Sequence, residues 1–266
     1  MLNYIIATYA GNKLEYSLQV QLHVLYSIIM LDEIKYLSQV TIVCPKVKNK
    51  HIEHPFYYQK EKWSKLFEKS KVKLVYLEYK GENNSASYDQ WIQAYLAYPD
   101  FEYFMFMEDD YCIHPLLANF DSIIVDYYKT KCENNGYMCS LAVDLYNFQH
   151  HAAISNGIAN KNTIDTLGPN ILKDFYKMDT KLNSQIGFSK LFTDKNIDIF
   201  TMHGKFIAWF WCSKKKVLEN YSDTSVKEIL IIPIQYLFSK DFESTNVSIE
   251  STKIQKAAKF TPRIRK

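Results

Sequence analysis

Arginine is nearly absent from this chain of 266 residues, in which Arg263 and Arg265 are the only two. Recognition of phosphate by paired guanidinium hydrogen bonds is therefore almost excluded, and an anion site must use lysine, backbone N–H groups or a metal ion. The formal net charge of +3 is too small to indicate binding to DNA or RNA. We expect no nucleic acid among the partners of this protein.

Paired cysteines and long apolar runs are also missing. The five cysteines are odd in number and contain no C-x-x-C pair, which argues against a disulfide framework or a structural zinc site. No stretch approaches the roughly 20 apolar residues that a membrane-spanning helix needs. Residues 1–6 lack the charged and long apolar regions of a signal peptide. These features predict a cytoplasmic protein without a transmembrane segment.

Short apolar runs do occur, and in the first 110 residues they alternate with segments of helical periodicity. Such an alternation predicts an α/β fold, with a central, mostly parallel sheet and helices on both faces. In the second half we expect a strand over 137–143, a helix that begins at Ser184, and paired strands over 197–202 and 206–211. The predicted strands of the first half are 4–8, 39–44, 71–79 and 103–107, and its predicted helices are 13–31, 61–69 and the segment around Trp91 and Tyr95.

The chain shows no internal repeat, linker or low-complexity tract. We therefore predict one catalytic domain over 1–243, followed by a basic extension over 244–266. Ligands of parallel sheets collect at the carboxyl ends of the strands. The loops after Thr8, Tyr79 and Met107 all open on that edge of the predicted sheet, which makes them the expected site.

Three adjacent carboxylates, Glu108-Asp109-Asp110, follow the apolar strand 103–107 directly. Placing them together at a strand end is costly unless a cation compensates their charge. Mg²⁺ and Mn²⁺ prefer oxygen ligands and commonly bind one or two carboxylates together with substrate phosphates. Because strand side chains alternate, Glu108 and Asp110 should lie on the same side. The alternative interpretation of the same residues is a solvated acidic turn.

In these features the sequence resembles the GT-A class of glycosyltransferases, whose members carry a D-x-D-like motif after a central apolar strand. The acidic triplet resembles that motif with Glu108 in the first place. The segment 5–9 resembles the donor-binding start of these enzymes, and the segment 83–87 resembles the nucleotide side of family-2-like members. The resemblance covers residues 3–115, within the half 1–115 that is expected to bind the nucleotide sugar. Within the remaining half, 116–243, the segments 154–157 and 185–189 resemble acceptor-side segments of small viral and bacterial sugar transferases.

The resemblance implies a metal-dependent transfer of a sugar from a nucleoside-diphosphate sugar, UDP- or GDP-linked, to a hydroxyl group of a glycan, glycoprotein or lipid. Mn²⁺ or Mg²⁺ would be held by Asp110 and Glu108, with Asp109 or Glu108 assisting through ribose or water. The residues that the resemblance places at the nucleotide are Thr8, Tyr9, Ala10, Asn84 and Ser85. The high content of Lys, Ile and Asn suits a large DNA virus or an AT-rich bacterium. If the protein is viral, we expect it in the cytoplasm of the host cell.

The acceptor half departs from the family pattern, because the helix at 183–187 lacks the acidic pair that supplies the catalytic base in related enzymes. Asp144, at the end of the predicted strand 137–143, and Asp179 are the candidates to accept the proton of the acceptor hydroxyl. His203 is a candidate metal ligand and Lys205 a candidate diphosphate contact. Each of these residues has an alternative interpretation as an ordinary structural or solvated side chain, and inversion and retention both stay open.

Two other functions compete with sugar transfer. A sugar-phosphate nucleotidyltransferase also combines an α/β sheet with acidic metal ligands, although residues 9–13 are a poor version of its Gly-rich loop. A degenerate, non-catalytic module that binds a nucleotide or carbohydrate would explain the missing acidic pair. The sequence contains no G-x-S-x-G, H-E-x-x-H or G-x-x-x-x-G-K-[ST] motif, which argues against the corresponding hydrolases and phosphate-loop enzymes.

Overall fold

The computed structural model describes residues 1–9, 14–45, 54–79, 87–109, 111–113, 119–139, 142–145, 149–152, 156–178, 184–201 and 231–233. A 3₁₀ helix, Pro55–Gln59, precedes the second α-helix. The elements in chain order are β1 Leu2–Ala7, α1 Leu14–Ile29, β2 Leu37–Pro45, α2 Lys60–Phe67, β3 Lys73–Tyr79, α3 Tyr88–Ala97, β4 Tyr103–Glu108, β5 Tyr111–Ile113, α4 Phe120–Lys131, β6 Tyr137–Cys139, β7 Ala142–Leu145, β8 Gln149–Ala152, β9 Gly157–Asn160, α5 Lys161–Asp165, α6 Ile171–Met178, α7 Ser184–Thr193, β10 Ile199–Thr201 and β11 Ile231–Pro233.

Seven of these strands form one sheet in the order β10-β6-β9-β4-β1-β2-β3. The pairs β1/β2, β2/β3, β1/β4 and β6/β10 are parallel, whereas β9 runs antiparallel to both β4 and β6. Two small antiparallel sheets, β5/β11 and β7/β8, lie outside it. The predicted α/β architecture with a mostly parallel central sheet is confirmed.

Helices cover both faces of this sheet, as the unbroken apolar runs of its strands predict. Along β1, Tyr4 and Ile6 belong to one buried cluster with residues of α1, α2 and α4. Ile5 and Ala7 belong to the opposite cluster, with residues of α3, α5, α6 and α7. No helix among the described residues combines the length and apolar character that a membrane crossing requires.

The strand order reverses between β1 and β4. From β1 the chain adds β2 and then β3 on one side, and it then returns to place β4 on the other side of β1. In open α/β sheets, ligands bind in the crevice outside the carboxyl ends of the strands at such a reversal. The last paired residues there are Ala7 of β1 and Glu108 of β4. The topology therefore directs attention to the residues that follow these two.

The prediction of a single strand over 137–143 is wrong. The structure divides this segment into β6, which pairs with β9 and β10 in the large sheet, and β7, which pairs with β8. An unbroken apolar run does not show where a chain exchanges one pairing partner for another. The predicted strand 197–202 corresponds to β10, but its partner is β6, and 206–211 lies outside the described residues.

Aromatic rings connect α7 to the rest of the fold through Phe188. Its ring centroid lies 4.9–6.5 Å from six other aromatic centroids. Edge-on and tilted arrangements at these separations are favourable beyond simple area burial. This cluster joins α3, α6, α7 and the sheet directly below the carboxyl end of β4. Its outer members are Tyr88, Trp91, Phe106, Tyr137, Phe175 and Phe192.

A buried carboxylate fixes the opposite end of the sheet. Asp121, in the first turn of α4, is 0% exposed, and its Oδ2 accepts the backbone N–H groups of Lys35, Tyr36 and Leu37 at 2.5–2.9 Å. Its Oδ1 accepts the N–H of Ser122 at 2.9 Å. Several N–H donors converging on one carboxylate compensate the cost of burying its charge. Asp121 thereby ties α4 to the entry of β2.

Removing this carboxylate should destabilise the protein far more than removing an exposed one. We expect Asp121→Ala to lower the free energy of unfolding by about 2–4 kcal/mol, because the N–H groups of Lys35, Tyr36 and Leu37 lose the charged acceptor that they share. The matched control is Asp126→Asn on the exposed side of the same helix, which should cost less than about 1 kcal/mol. Urea titration followed by circular dichroism measures both, and equal midpoints for the two variants would contradict this account.

Candidate active site

Thr8, the first residue after β1, is bound by a side chain that acts like a neighbouring strand. The Thr8 N–H donates to Gln90 Oε1 at 3.0 Å, and Gln90 Nε2 donates to the Thr8 carbonyl at 3.2 Å. The backbone pairing of β1 ends at Ala7, so the amide of Gln90 satisfies the two polar groups that come next. Gln90 lies in the first turn of α3, which therefore fixes where β1 ends.

The hydroxyl group of Thr8 is also occupied within the protein. It donates to the Val43 carbonyl at 2.6 Å and lies 3.1 Å from His54 Nε2. The Thr8 residue is only 3% exposed. Its predicted contact with a nucleotide stays a prediction, while the contacts in the structure give Thr8 a positioning role.

Tyr9 links the end of β1 to the acidic triplet. Its N–H donates to Asp109 Oδ2 at 3.0 Å, although the two residues are separated by 100 positions in the sequence. Asp109 is buried, whereas Tyr9 is 57% exposed at the carboxyl edge of the sheet. The contact therefore joins the segments that follow β1 and β4, and it leaves the Tyr9 ring accessible at the edge of the crevice.

Glu108 is held from the other side. Ser87 Oγ donates to Glu108 Oε1 at 2.9 Å, and the Glu108 N–H donates to Asn156 Oδ1 at 3.0 Å. Ser87 occupies the N-cap position of α3, but its hydroxyl donates to Glu108 and makes no capping bond. Glu108 thus bonds to α3 and the start of β9, whereas Asp109 bonds to the end of β1.

Gly157 and Tyr137 lie against each other close to Glu108. Gly157 pairs with Phe106 and Cys139, and an added Cβ there would lie 2.3 Å from the Tyr137 hydroxyl oxygen. Burial, together with the nearby Cys139, Tyr88 and Glu108, holds the pKa of Tyr137 well above its ordinary value, so this hydroxyl stays protonated. The absence of a side chain at 157 is what makes room for it.

A buried carboxylate, that of Asp89, lies next to Gln90 in the first turn of α3. Asp89 is buried, and its Oδ2 accepts the hydroxyl of Tyr79, the last residue of β3, and the hydroxyl of Tyr176 at 3.2 Å. Burial raises the pKa of Asp89, and the hydrogen bonds from both tyrosines oppose that rise. Through this carboxylate, α3 is joined to β3 and to α6.

The described carboxylates suit a hard divalent cation in chemistry but do not complete a site. No three His, Cys, Asp or Glu side chains within the described part of the chain come together as metal ligands. Glu108 supplies carboxylate oxygens at the crevice, and Mg²⁺ or Mn²⁺ commonly takes its remaining ligands from substrate phosphates and water. The other predicted ligands, Asp110 and His203, lie outside the described residues.

The remaining predicted residues are divided in the same way. Asp144 lies in β7, where its register partner in β8 is His150. Asp144 belongs to the segment that connects β6 to β9. Strand β6 ends at Cys139 at the carboxyl edge of the sheet, and the antiparallel β9 begins at Gly157 at that same edge. The excursion that carries Asp144 therefore starts and finishes beside the candidate site. Outside the described residues lie Ala10, Asn84, Ser85, Asp179 and Lys205.

The sequence did not indicate Gln90 or His54, and it indicated Asn156 only as part of the segment 154–157. Each is an uncharged polar side chain in a buried position that completes hydrogen bonds left open at a strand end. Hydrophobic periodicity does not mark such residues, because they interrupt an apolar pattern without belonging to a motif. Gln90 gave the clearest signal in the sequence, because it is a polar residue at the start of a predicted helix.

Comparison with known proteins gives structural likeness without sequence relatives. No family model matches the sequence, and no curated protein matches it. A solved structure of a glycosyltransferase involved in the glycosylation of the major capsid of PBCV-1 is similar with a TM-score of 0.44 and 12% identity, over 91% of this chain and 97% of that one. Mouse xyloside xylosyltransferase 1, in its apo form, is similar with a TM-score of 0.47 and 8% identity, over 88% and 97% of the two chains.

The buried His54 and the half-buried His23 should make the stability of the fold depend on pH. Burial lowers the pKa of both His23 and His54 from 6.5 to about 4. Because these folded-state values are depressed, the unfolded chain binds more protons below about pH 6.5, and their stabilising contribution is lost as the pH falls towards 4. We expect the free energy of unfolding to fall from pH 7 to 4.5, with a slope of at most about 1.4 kcal/mol per pH unit for each histidine.

Urea titrations across this pH range measure that slope. The variant His54→Gln carries one titrating group fewer, so its slope should be shallower than that of the unmodified protein. An identical slope in the two proteins would contradict the assignment of His54 as a buried neutral imidazole.

Proposed function

We propose that this chain is a metal-dependent glycosyltransferase that moves a sugar from a nucleoside-diphosphate sugar to a hydroxyl group of a glycan, glycoprotein or lipid. The observation that carries the proposal is the contact between the Tyr9 N–H and the Asp109 carboxylate. It joins the end of β1 to the acidic triplet at the reversal of strand order, which is where α/β sheets bind nucleotides.

The donor half of the site is assigned to the ends of β1 and β3. The exposed ring of Tyr9 offers a face for stacking on a nucleobase. Ala10, Asn84 and Ser85 follow the same two strands and are proposed to line the nucleotide. With arginine confined to positions 263 and 265, Lys205 and a metal ion are the proposed counter-charges for the diphosphate.

The metal is assigned to Glu108 and Asp110, with His203 as a further ligand. A bound Mn²⁺ or Mg²⁺ would neutralise charge on the departing nucleoside diphosphate. The contribution of the chain is to fix the first ligand, because Ser87 and Asn156 hold Glu108 by its carboxylate and its backbone. The Asp109 carboxylate accepts the Tyr9 N–H. We therefore assign Asp109 an indirect role at the ribose, which is to hold Tyr9 in place.

The proton of the acceptor hydroxyl is assigned to Asp144. As the acceptor oxygen bonds to the anomeric carbon and the diphosphate leaves, the hydroxyl proton passes to this carboxylate. The excursion between β6 and β9 supports Asp144, since both of its ends lie at the edge that carries Glu108. Asp179, which follows α6, is the alternative base.

Two other functions differ from this proposal in their products. A sugar-phosphate nucleotidyltransferase would release pyrophosphate, whereas a glycosyltransferase releases a nucleoside diphosphate. A binding module without catalysis would release neither. Incubation with UDP- and GDP-sugars and Mn²⁺, followed by phosphate-product analysis, separates the three.

Donor binding should depend on the metal. At about a hundredfold excess over its dissociation constant, UDP or GDP should raise the melting temperature by roughly 5–10 °C with Mn²⁺ and little without it. Asp110→Asn should abolish this shift, because it removes a proposed ligand. The matched control is Asp100→Asn, an exposed residue just before the other end of β4, which should leave the shift intact. Equal shifts in the two variants would refute the metal assignment.

The base assignment makes a separate prediction about transfer. Asp144→Asn should slow sugar transfer by about 10²–10⁴-fold, because general-base assistance is lost, while binding of the nucleoside diphosphate stays unchanged. Asp179→Asn should leave both quantities intact. The product should have the inverted anomeric configuration, which NMR of the sugar determines. Retention of configuration, or a rate loss confined to Asp179→Asn, would remove Asp144 from this role.

A further inference from the structure

His54 is a buried imidazole that the proposed chemistry does not use. It lies immediately before the 3₁₀ helix Pro55–Gln59 and is only 3% exposed. Both of its ring nitrogens nevertheless have partners. The Phe56 N–H donates to Nδ1 at 3.1 Å, and Nε2 lies 3.1 Å from the hydroxyl oxygen of Thr8.

These partners determine which nitrogen carries the proton. Nδ1 accepts a backbone N–H, so it must present a lone pair, and the proton of the neutral ring is on Nε2. Nε2 therefore donates to Thr8 Oγ1, whose own proton goes to the Val43 carbonyl at 2.6 Å. The result is a chain of donors in one direction, from Phe56 through His54 and Thr8 to Val43.

The segment that holds His54 is itself firmly attached. Gln21 Nε2, from α1, donates to the Pro55 carbonyl at 3.0 Å, and the Tyr57 N–H donates to the His54 carbonyl at 2.8 Å. The Phe56 side chain is fully buried in the cluster that lies under α1 and α2. His54 thus connects a fixed element to the residue that immediately precedes Tyr9.

We propose that His54 is a positioning residue of the donor site, which holds Thr8 so that the Tyr9 N–H remains on Asp109 and the Tyr9 ring remains beside the crevice. The inference rests on the proposed function, since Tyr9 is assigned there to the nucleotide. Gln90 fixes the backbone of Thr8, and His54 fixes its side chain. The two together leave Thr8 little freedom to rotate.

Two substitutions separate the two bonds of the ring. The amide of His54→Gln reaches the position of Nε2 and can still donate to Thr8, whereas the amide of His54→Asn reaches the position of Nδ1 and can only accept from Phe56. We expect the affinity for UDP or GDP with Mn²⁺, measured by calorimetry, to fall by about tenfold in His54→Asn and by less than about threefold in His54→Gln. Both variants lose the buried ring, so their melting temperatures should fall by similar amounts.

A purely structural role would make the affinity follow the melting temperature in both variants. Thr8→Val supplies a further comparison, because it removes the hydroxyl at nearly constant shape. Its affinity loss should match that of His54→Asn, and the double variant should lose no more than either single one. Additive losses, or equal affinities in His54→Asn and His54→Gln, would overturn the proposal.

The backbone amide of Tyr9 gives a measurement that does not need a nucleotide. In ¹H–¹⁵N NMR spectra its resonance should move in His54→Asn and Thr8→Val and stay near its original position in His54→Gln. An unmoved Tyr9 amide in all three variants would overturn the positioning role. If the unmodified protein binds no nucleoside diphosphate while the Tyr9 amide moves as expected, the proposed donor site fails and the control of Tyr9 by His54 stands.

Discussion

The hydrogen bond between the Tyr9 N–H and the Asp109 carboxylate is the constraint on which the site depends. It joins the segments after β1 and β4, where the strand order reverses. The acceptor is a buried carboxylate, whose charge needs a hydrogen-bond donor to compensate it. One of the three adjacent acids is thereby directed away from its neighbours. Crowding in the triplet is reduced because Glu108 is directed to Ser87 and Asp109 to Tyr9.

The first turn of α3 is the element that assembles these contacts. Within four consecutive residues it contributes Ser87 to Glu108, Asp89 to two tyrosine hydroxyls, and Gln90 to the backbone of Thr8. The helix is anchored in turn by Trp91, whose Nε1 donates to the Met107 carbonyl at 3.1 Å. A shift of α3 would therefore disturb both sides of the crevice at once, which couples the packing of the aromatic core to the geometry of the site.

The sequence predicted the first half of the fold well, because alternating strands and amphipathic helices form a pattern that depends on local residues. It failed where pairing is non-local. The antiparallel direction of β9 and the division of 137–143 into β6 and β7 depend on partners distant in the chain. The acidic triplet was recognisable as a candidate site because charge at the end of an apolar strand is conspicuous. The supporting contacts of Gln90, His54 and Asn156 were not, since their meaning comes from strand ends that only folding brings near.

The antiparallel course of β9 has a consequence for how this protein can diversify. The chain leaves the large sheet after Cys139 and returns to it at Gly157, and these two residues are register partners, so the ends of the intervening segment lie side by side. Lengthening such a loop costs little conformational entropy and shifts the register of no strand in the large sheet. Insertions or deletions there can remodel one rim of the crevice while the opposite rim, built from β1 and α3, keeps its geometry. Related chains should therefore differ most in length between these two positions.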